Sequence, residues 1–447
     1  MKDLLGFEKR LHAKVMELER EIVKEELELA DLNVPAIVIE GQVYRQVLRA
    51  EEAYQTASGE VRVMRSLYKD RSDPGTRAVV PMEYRLGLVE GRWTPLAAQE
   101  AAWVVAQVTP KVAGELFTRM GNMSPSRSSL DRLPKQLSKR WEEQRAAFEE
   151  ELHMLEVVPD YAALVAVSLD GVLTPMKDEE GPEKRAEAEA QGKQASGPSG
   201  YQEVGCGTIT FYDEGGNLLR GVRIARMPEA GKATLKTMLL GELGKVLAER
   251  PDLQLVALAD GAKDNWTFLQ DKVASRVRKS VCILDFFHAA AHLSDAFGAA
   301  YGEGSVKARA NFDKQRRILL EDPRGVDKVI RCVAHLCTSH PRSKRLKQVL
   351  GYLKENRHRM QYAECTELGL PIGSGVVESA CKTLVTQRMK NSGMRWTQEG
   401  GQAILTMRSW CQSDRFDRAW ALLAATYQVD VDVIAPVIEI RGRFDKV

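Results

Sequence analysis

The sequence contains no stretch of about 18 apolar residues, so nothing in it reads as a membrane-spanning helix. Its opening residues, MKDLLGFEKR, lack the apolar centre of a secretory leader, which makes the cytoplasm the expected location. Neither GxxxxGK[ST] nor GxGxxG occurs, and that removes the phosphate-cradling loops of P-loop and dinucleotide-binding proteins. No internal repeat stands out, so solenoids and propellers are not expected. A large excess of charge is missing too. With 64 Lys and Arg against 62 Asp and Glu, the net charge of +2 announces no nucleic-acid partner, and such a partner has to be read from the distribution of charge. The seven cysteines are an odd number in mostly apolar surroundings, which suits reduced, buried thiols and not a disulfide framework.

What is present is enough chain, 447 residues with 44% apolar side chains, for two or three domains with cores of their own. Residues 1–55 read as an N-terminal helical region, led by a charged helix with Leu11, Val15, Leu18, Ile22 and Leu29 near helical spacing, for which coil formation and packing are both open. Residues 56–95 alternate in short runs broken at Asp73-Pro74-Gly75, the pattern of a small antiparallel β unit. Residues 96–158 are helical. There Gly121-Asn122 separates two helices in the manner of a helix-turn-helix, and Ser126, Arg127, Arg132, Lys135, Lys139 and Arg140 form a basic helix that could enter a DNA groove or simply face solvent.

The pattern changes at Tyr161. ALVAVSLDG, residues 163–171, is a buried strand delivering Asp170 at its carboxyl end, and LQLVALADGA, residues 253–262, does the same for Asp260. Between them lie a polar segment, Lys177 to Gly200, read as a mobile loop, then a hairpin around Glu214-Gly215-Gly216-Asn217 and an amphipathic helix from Ala233 to Arg250. SVCILDFFHA, residues 280–289, is a third strand ending in Asp285 and His288, so residues 159–291 make the first part of an α/β core with a mixed sheet. Residues 292–367 show only helical patterns. Within 301–360, fifteen Lys or Arg stand against six Asp or Glu, a plausible phosphate-binding face that includes Lys344, Arg345 and Lys347. Residues 368–447 return to the core with a helix beginning at Ser374, carrying Glu378 and ending by Gly393.

Adjacent strand ends converge on one sheet edge, so Asp170 and Asp260 together with Glu378 on a later helix form a constellation of hard oxygen donors suited to Mg²⁺ or Mn²⁺. Two such ions would serve in-line displacement at phosphorus, with water as nucleophile for cleavage or a DNA 3′-hydroxyl for strand transfer. Each acid taken singly reads more readily as a strand-end cap or a surface acid, and Glu378 also has Lys382 four residues on as an ion-pair partner. The joint occurrence of the three favours the metal reading.

VSLDG, LADGA, LDFFHAAAHL and PIGSGVVESACKTLVTQRMKNSGMRW resemble the motifs of ISKra-type insertion-sequence transposases, members of the RNase H-like DDE superfamily, over about residues 160–412. The resemblance implies an RNase H-like mixed sheet with a helical insertion, and Asp170, Asp260 and Glu378 as catalytic acids holding two divalent ions. Asp285 and His288 would match a D-x-x-H element that supports the active site. It further implies a nucleoid-associated homo-oligomer that binds terminal inverted repeats and target DNA, cuts beside the repeats and joins the ends. No cysteine precedes Cys206, so the zinc-ribbon pairs common near the N-terminus of that family are missing and no zinc is expected.

Other candidates are weaker. Cys332, His335, Cys337 and His340 do not follow a familiar zinc spacing and read as buried thiols and helix-face histidines. His288 could equally be a hydrogen-bonded core residue. Arg388, Lys390, Arg395 and Trp396 could contact phosphates and stack on a base near the scissile bond, or form a solvated helix end. Two alternatives stand beside the transposase: a transposase-derived DNA-binding protein without chemistry, and an RNase H-like nuclease that hydrolyses without joining.

Overall fold

The structure, a computed structural model, describes residues 3–70, 75, 77–177, 190 and 200–434. The expected break at Asp73-Pro74 and nearly all of the loop expected between Lys177 and Gly200 lie outside the described residues. The chain divides into two compact units, one comprising Met1–Phe148 and Phe416–Val447, the other Glu149–Arg415.

The first unit opens with helix α1 (Leu4–Ala30), followed by strands β1 (Ala36–Ile39), β2 (Gln42–Thr56) and β3 (Gly59–Lys69). These strands and a C-terminal one, Val431–Val433, make an antiparallel sheet in the order β3, β2, β1, C-terminal strand. Glu40 and Gly41, with φ of 50° and 80°, close the β1–β2 hairpin in two residues, a turn whose left-handed backbone matches the twist of the strands it joins. The sheet therefore begins well before residue 55, and the N-terminal region is not purely helical as expected. The short helices α2 (Pro81–Arg85) and α3 (Pro95–Gln107) follow, then α4 (Pro110–Met120), α5 (Arg127–Glu143) and α6 (Arg145–Met154). Gly121 ends α4 at φ 76°, and the Ser126 hydroxyl caps α5 by accepting the N–H of Ser129. Of the basic residues on α5, Arg140 is already committed: it donates to Thr426 and lies 4.0 Å from the Tyr427 ring centroid.

In the second unit β4 (Leu164–Pro175), β5 (Tyr201–Tyr212), β6 (Leu218–Arg226), β7 (Gln254–Ala259) and β8 (Ser280–Leu284) form one mixed sheet ordered β6-β5-β4-β7-β8. β4, β7 and β8 are parallel, while β5 and β6 are antiparallel to their neighbours. This is the expected mixed α/β core. Helix α7 (Ala233–Glu249) crosses from β6 to β7 and packs on β5 at Gly205 and Gly207. A Cβ at those two positions would come within 2.9 Å of Leu235 and 2.6 Å of Leu239, so glycine there lets the helix lie close on the sheet.

After β7 comes α8 (Lys263–Phe268), and after β8 the chain turns at once into α9 (Phe286–Tyr301). Helices α10 (Val306–Glu321), α11 (Gly325–Ser339), α12 (Lys344–Glu355) and α13 (Tyr362–Glu367) complete the helical insertion. Its apolar faces, through Leu319, Val333, Leu346 and Val349, belong to the same buried cluster as the sheet, so it extends the core. Cys332 and Cys337 pack partly buried against that cluster. The last part of the unit is α14 (Gly375–Ala380), which runs on through a π-helical segment, Cys381–Thr386, to Met389, and then α15 (Gln398–Gln412). Val377, Cys381, Leu384 and Leu405 close over Val204, Cys206 and Met227, which makes α14–α15 the second covering layer. Residues from Phe416 onward, in the stretch expected to hold the second part of the core and C-terminal helices, belong to the first unit.

Candidate active site

Three segments far apart in number build the site. β4 pairs with β7 only from Leu164 with Gln254 to Ser168 with Leu258, yet it continues alongside β5 as far as Pro175. Asp170 therefore does not end its strand, as expected; it sits inside the strand where the parallel neighbour has stopped, opposite Cys206 of β5. Continuing the β4–β7 register by two residues brings Asp170 level with Asp260, the residue just after β7. Glu378 arrives from the other layer, in the first turns of α14.

These side chains meet around one cavity of about 240 Å³, lined by Leu169, Asp170, Asp260, His288, Ser374, Val377 and Glu378. Asp170 is half-buried. Its Oδ1 accepts the Gly171 N–H at 2.7 Å, and its Oδ2 takes the Cys381 thiol at 3.6 Å. Burial, the largest cause, and the charge of Asp260 raise its carboxyl above the ordinary range, against the opposing pull of the Gly171 N–H, the Cys381 thiol and Lys232. Asp260 Oδ1 accepts the Ala262 N–H at 3.1 Å and lies 3.5 Å from the Asn265 amide, which also donates to Leu169 O at 3.2 Å. Asn265 thus ties the end of β7 to β4. Glu378 is exposed on the cavity rim, and the Ser374 hydroxyl donates to its Oε1 at 3.0 Å.

Asp285 does not face the cavity. Fully buried, it N-caps α9 through the His288 N–H, and its other oxygen accepts the N–H of Ser374. The Phe286 N–H adds a bond to Ile372 O at 2.9 Å. Asp285 and His288 were expected on the end of a strand; they occupy the cap and first turn of a helix, because the chain bends at Asp285 as soon as β8 ends. His288 is exposed and lines the cavity, its ring 5.2 Å from that of His292. The His292 ring packs 4.0 Å from Tyr352 of α12, and burial, with His288 and Arg345 adding, lowers its pKa. Tyr352 closes over the backbone of Gly261, where an added Cβ would lie 2.3 Å from its ring. Its hydroxyl is buried and has no hydrogen-bond partner among the described residues.

The donor set is chemically right for a hard divalent cation: three carboxylates, two of them close enough for one to raise the pKa of the other. A cation there would relieve that repulsion. Among the described residues no group of three or more His, Cys, Asp or Glu is arranged to hold a metal ion as it stands. Asp170, Asp260 and Glu378 share a cavity without forming a closed cage.

The residues expected to meet DNA fare differently. Lys390 and Arg395 are exposed. Arg388 is 3% exposed, its guanidinium 5.2 Å from the Trp396 ring centroid, and burial, with Arg408 second, draws its pKa down to about 10. It is a packing residue and not the expected phosphate contact. Trp396 is half-buried, donates its indole N–H to Met389 O at 2.9 Å, and pairs its backbone with Pro175 and Lys177, so it anchors the far end of β4. Lys344, Arg345 and Lys347 lie exposed on α12, with Arg345 bonded to Asp295.

Sequence reasoning took Ser374 only as the start of a helix, and passed over Cys381, Asn265 and Tyr352 as parts of the site. Ser374 lies four residues before Glu378, one helical turn, and that spacing was a usable signal. The other three act across the fold and leave no local trace. No protein-family profile matches the chain, and no curated protein matches it significantly.

Proposed function

We infer that this protein is a DDE transposase of the ISKra type, acting on DNA by metal-dependent phosphoryl transfer in an RNase H-like core. One observation carries the reading: Asp170 in β4, Asp260 just after β7 and Glu378 in a distant helix line a single cavity together with His288. The motif resemblance at those same positions supports it.

In this reading Asp170 and Asp260 supply the inner carboxylates and Glu378 the outer one. Bound Mg²⁺ or Mn²⁺, two ions by analogy, would supply charge neutralisation for the attacking and leaving oxygens at phosphorus. Asp170 and Asp260 are half-buried and keep their donors turned inward. Glu378 is held by Ser374, and Ser374 by Asp285, so the outer carboxylate is registered against the sheet through α9. His288 faces the same space and can exchange a hydrogen bond with a hydroxyl or phosphate oxygen there. No protein nucleophile is required, because water would release a cut end and a 3′-hydroxyl would join it. The basic stretch from 301 to 360 offers phosphate contacts along the insertion.

A plasmid assay with paired terminal repeats tests this. Excision and joined product are expected with Mg²⁺ and wild-type protein, and neither with Asp170→Asn, which should still shift end DNA. Hydrolysis without joined product would point to the nuclease alternative, and binding without any cut to the silent one; substantial cutting by Asp170→Asn would remove the proposal.

A further inference from the structure

Helix α1 carries two apolar stripes, and only one of them is covered. Met16, Val23, Leu27 and Ala30 face the unit's own sheet, partly or fully buried, and Arg20 among them donates to the Ser58 carbonyl at 2.8 Å. On the far side Leu4, Leu11, Val15, Leu18, Ile22 and Leu29 are 47–77% exposed. In heptad terms Val15, Ile22 and Leu29 occupy a positions and Leu4, Leu11 and Leu18 d positions, while Met16, Arg20, Val23, Leu27 and Ala30 fall on b and f. An a/d row that is apolar without interruption from Leu11 to Ile22, left in water on a helix already anchored by its opposite face, has the form of half a short coiled coil.

We propose that this row pairs with the same row of a second copy of the chain, as an antiparallel two-stranded coiled coil. The charges choose both the occupant and the direction. Lys9, Arg10 and Lys14 lie in the first half of α1, whereas Glu17, Glu19, Glu21, Glu25, Glu26 and Glu28 crowd the second. Run antiparallel, with Val15 of one copy on Leu18 of the other and Ile22 on Leu11, Lys14 flanks Glu21 and His12 flanks Glu19. Run parallel, the flanking positions still pair Lys14 with Glu19 but set Glu21 against Glu26, a like-charge contact repeated twice by symmetry that the antiparallel pair avoids. The antiparallel pair is isologous and closes on two copies. Glu8 and Glu25 also fall within the row and in this register face each other across the pair, twice by symmetry, so the apolar seam is confined to the layers of Leu11 with Ile22 and Val15 with Leu18; a parallel pair would set each of these glutamates against its own copy and is no better there. This pairing rests on α1 alone and is independent of the chemistry inferred for the other unit.

Sedimentation of the full chain tests it. The expected result is a concentration-dependent dimer, abolished by Val15→Glu with Leu18→Glu; both side chains are exposed in the single chain, so the variant should keep its circular-dichroism spectrum. Glu21→Lys should weaken association about tenfold by setting lysines against Lys14, and adding Lys14→Glu should restore it. A chain that stays monomeric up to about 100 µM, or a dimer that survives the double glutamate change, would overturn the surface. Tighter association of Glu21→Lys would overturn the antiparallel direction.

Discussion

The carboxylate of Asp285 accepts the backbone N–H of Ser374, 89 residues further along the chain, and so joins the start of α9 to the start of α14. Its other oxygen holds the His288 N–H, and the Ser374 hydroxyl holds Glu378. One buried acid therefore sets the relative position of the imidazole and the outer carboxylate of the cavity.

Asp285→Ala leaves the buried Ser374 N–H without its acceptor, a loss of about 1–3 kcal/mol, and removes the cap on the part-buried His288 N–H. Thermal unfolding should shift down accordingly, and on the proposed function DNA cleavage should fall further than DNA binding. Full cleavage by a correctly folded variant would show that Glu378 needs no such support.

Asp170→Asn removes a charge that burial and Asp260 both disfavour. In the absence of divalent cations the variant should be at least as stable as the parent, a common trade at active sites. Mg²⁺ should raise the melting temperature of the parent and not that of the variant. Equal stabilisation of both by Mg²⁺ would place the ion elsewhere.

Gly261→Ala forces a Cβ into the ring of Tyr352, at a cost of about 1–3 kcal/mol for overpacking. Combining it with Tyr352→Ala should cost less than the sum of the two single changes, because the obstruction is gone. A double-mutant cycle by chemical denaturation reads this, and strict additivity would mean that the two do not press on each other.

Acid sensitivity of the second unit should trace in part to Glu242. Burial would raise this carboxyl, but hydrogen bonds from Arg415 and His153 outweigh it and hold it down to about 2, below its ordinary 4.5. The stabilisation is complete above pH 4.5 and is lost as pH falls from 4.5 toward 2. Arg415 spans Glu242 and Glu156, at 2.8 Å and 2.9 Å, so Glu242→Leu leaves a buried cation with Glu156 alone and should cost up to about 3 kcal/mol at neutral pH. The variant's unfolding midpoint should also depend less on pH below 4.5; an unchanged acid profile would assign the sensitivity to other carboxylates.

If the chain binds DNA as proposed, the salt dependence of that binding gives a further check on α12. Lys344→Glu with Lys347→Glu should flatten the slope of log affinity against log salt, by roughly 0.9 for each phosphate that is no longer neutralised. An unchanged slope would place the phosphate-binding face elsewhere on the chain.

Much was legible locally. Continuous apolar runs announced β4, β7 and β8, and the turn residues Glu214 to Asn217 announced the β5–β6 hairpin, because burial on both faces and turn chemistry leave short-range patterns; the helix of Glu378 does start at Ser374, though its hydroxyl binds Glu378 and does not cap the backbone. The run to Asp170-Gly171 misled about where β4 ends. The strand's continuation is held by pairing with β5, whose residues come from beyond position 200.

By itself the sequence determined the kinds of element and their order in the second unit, and the three acids worth watching, all of which depend on side-chain periodicity and turn chemistry; in the first unit it missed β1 and most of β2. Only the tertiary structure decided that Arg388 turns inward, that Asp285 caps a helix and braces Ser374, that Tyr352 closes on Gly261, and that Val431–Val433 pairs with β1. Each of these joins residues remote in the chain, with a partner that becomes defined only when the layers pack.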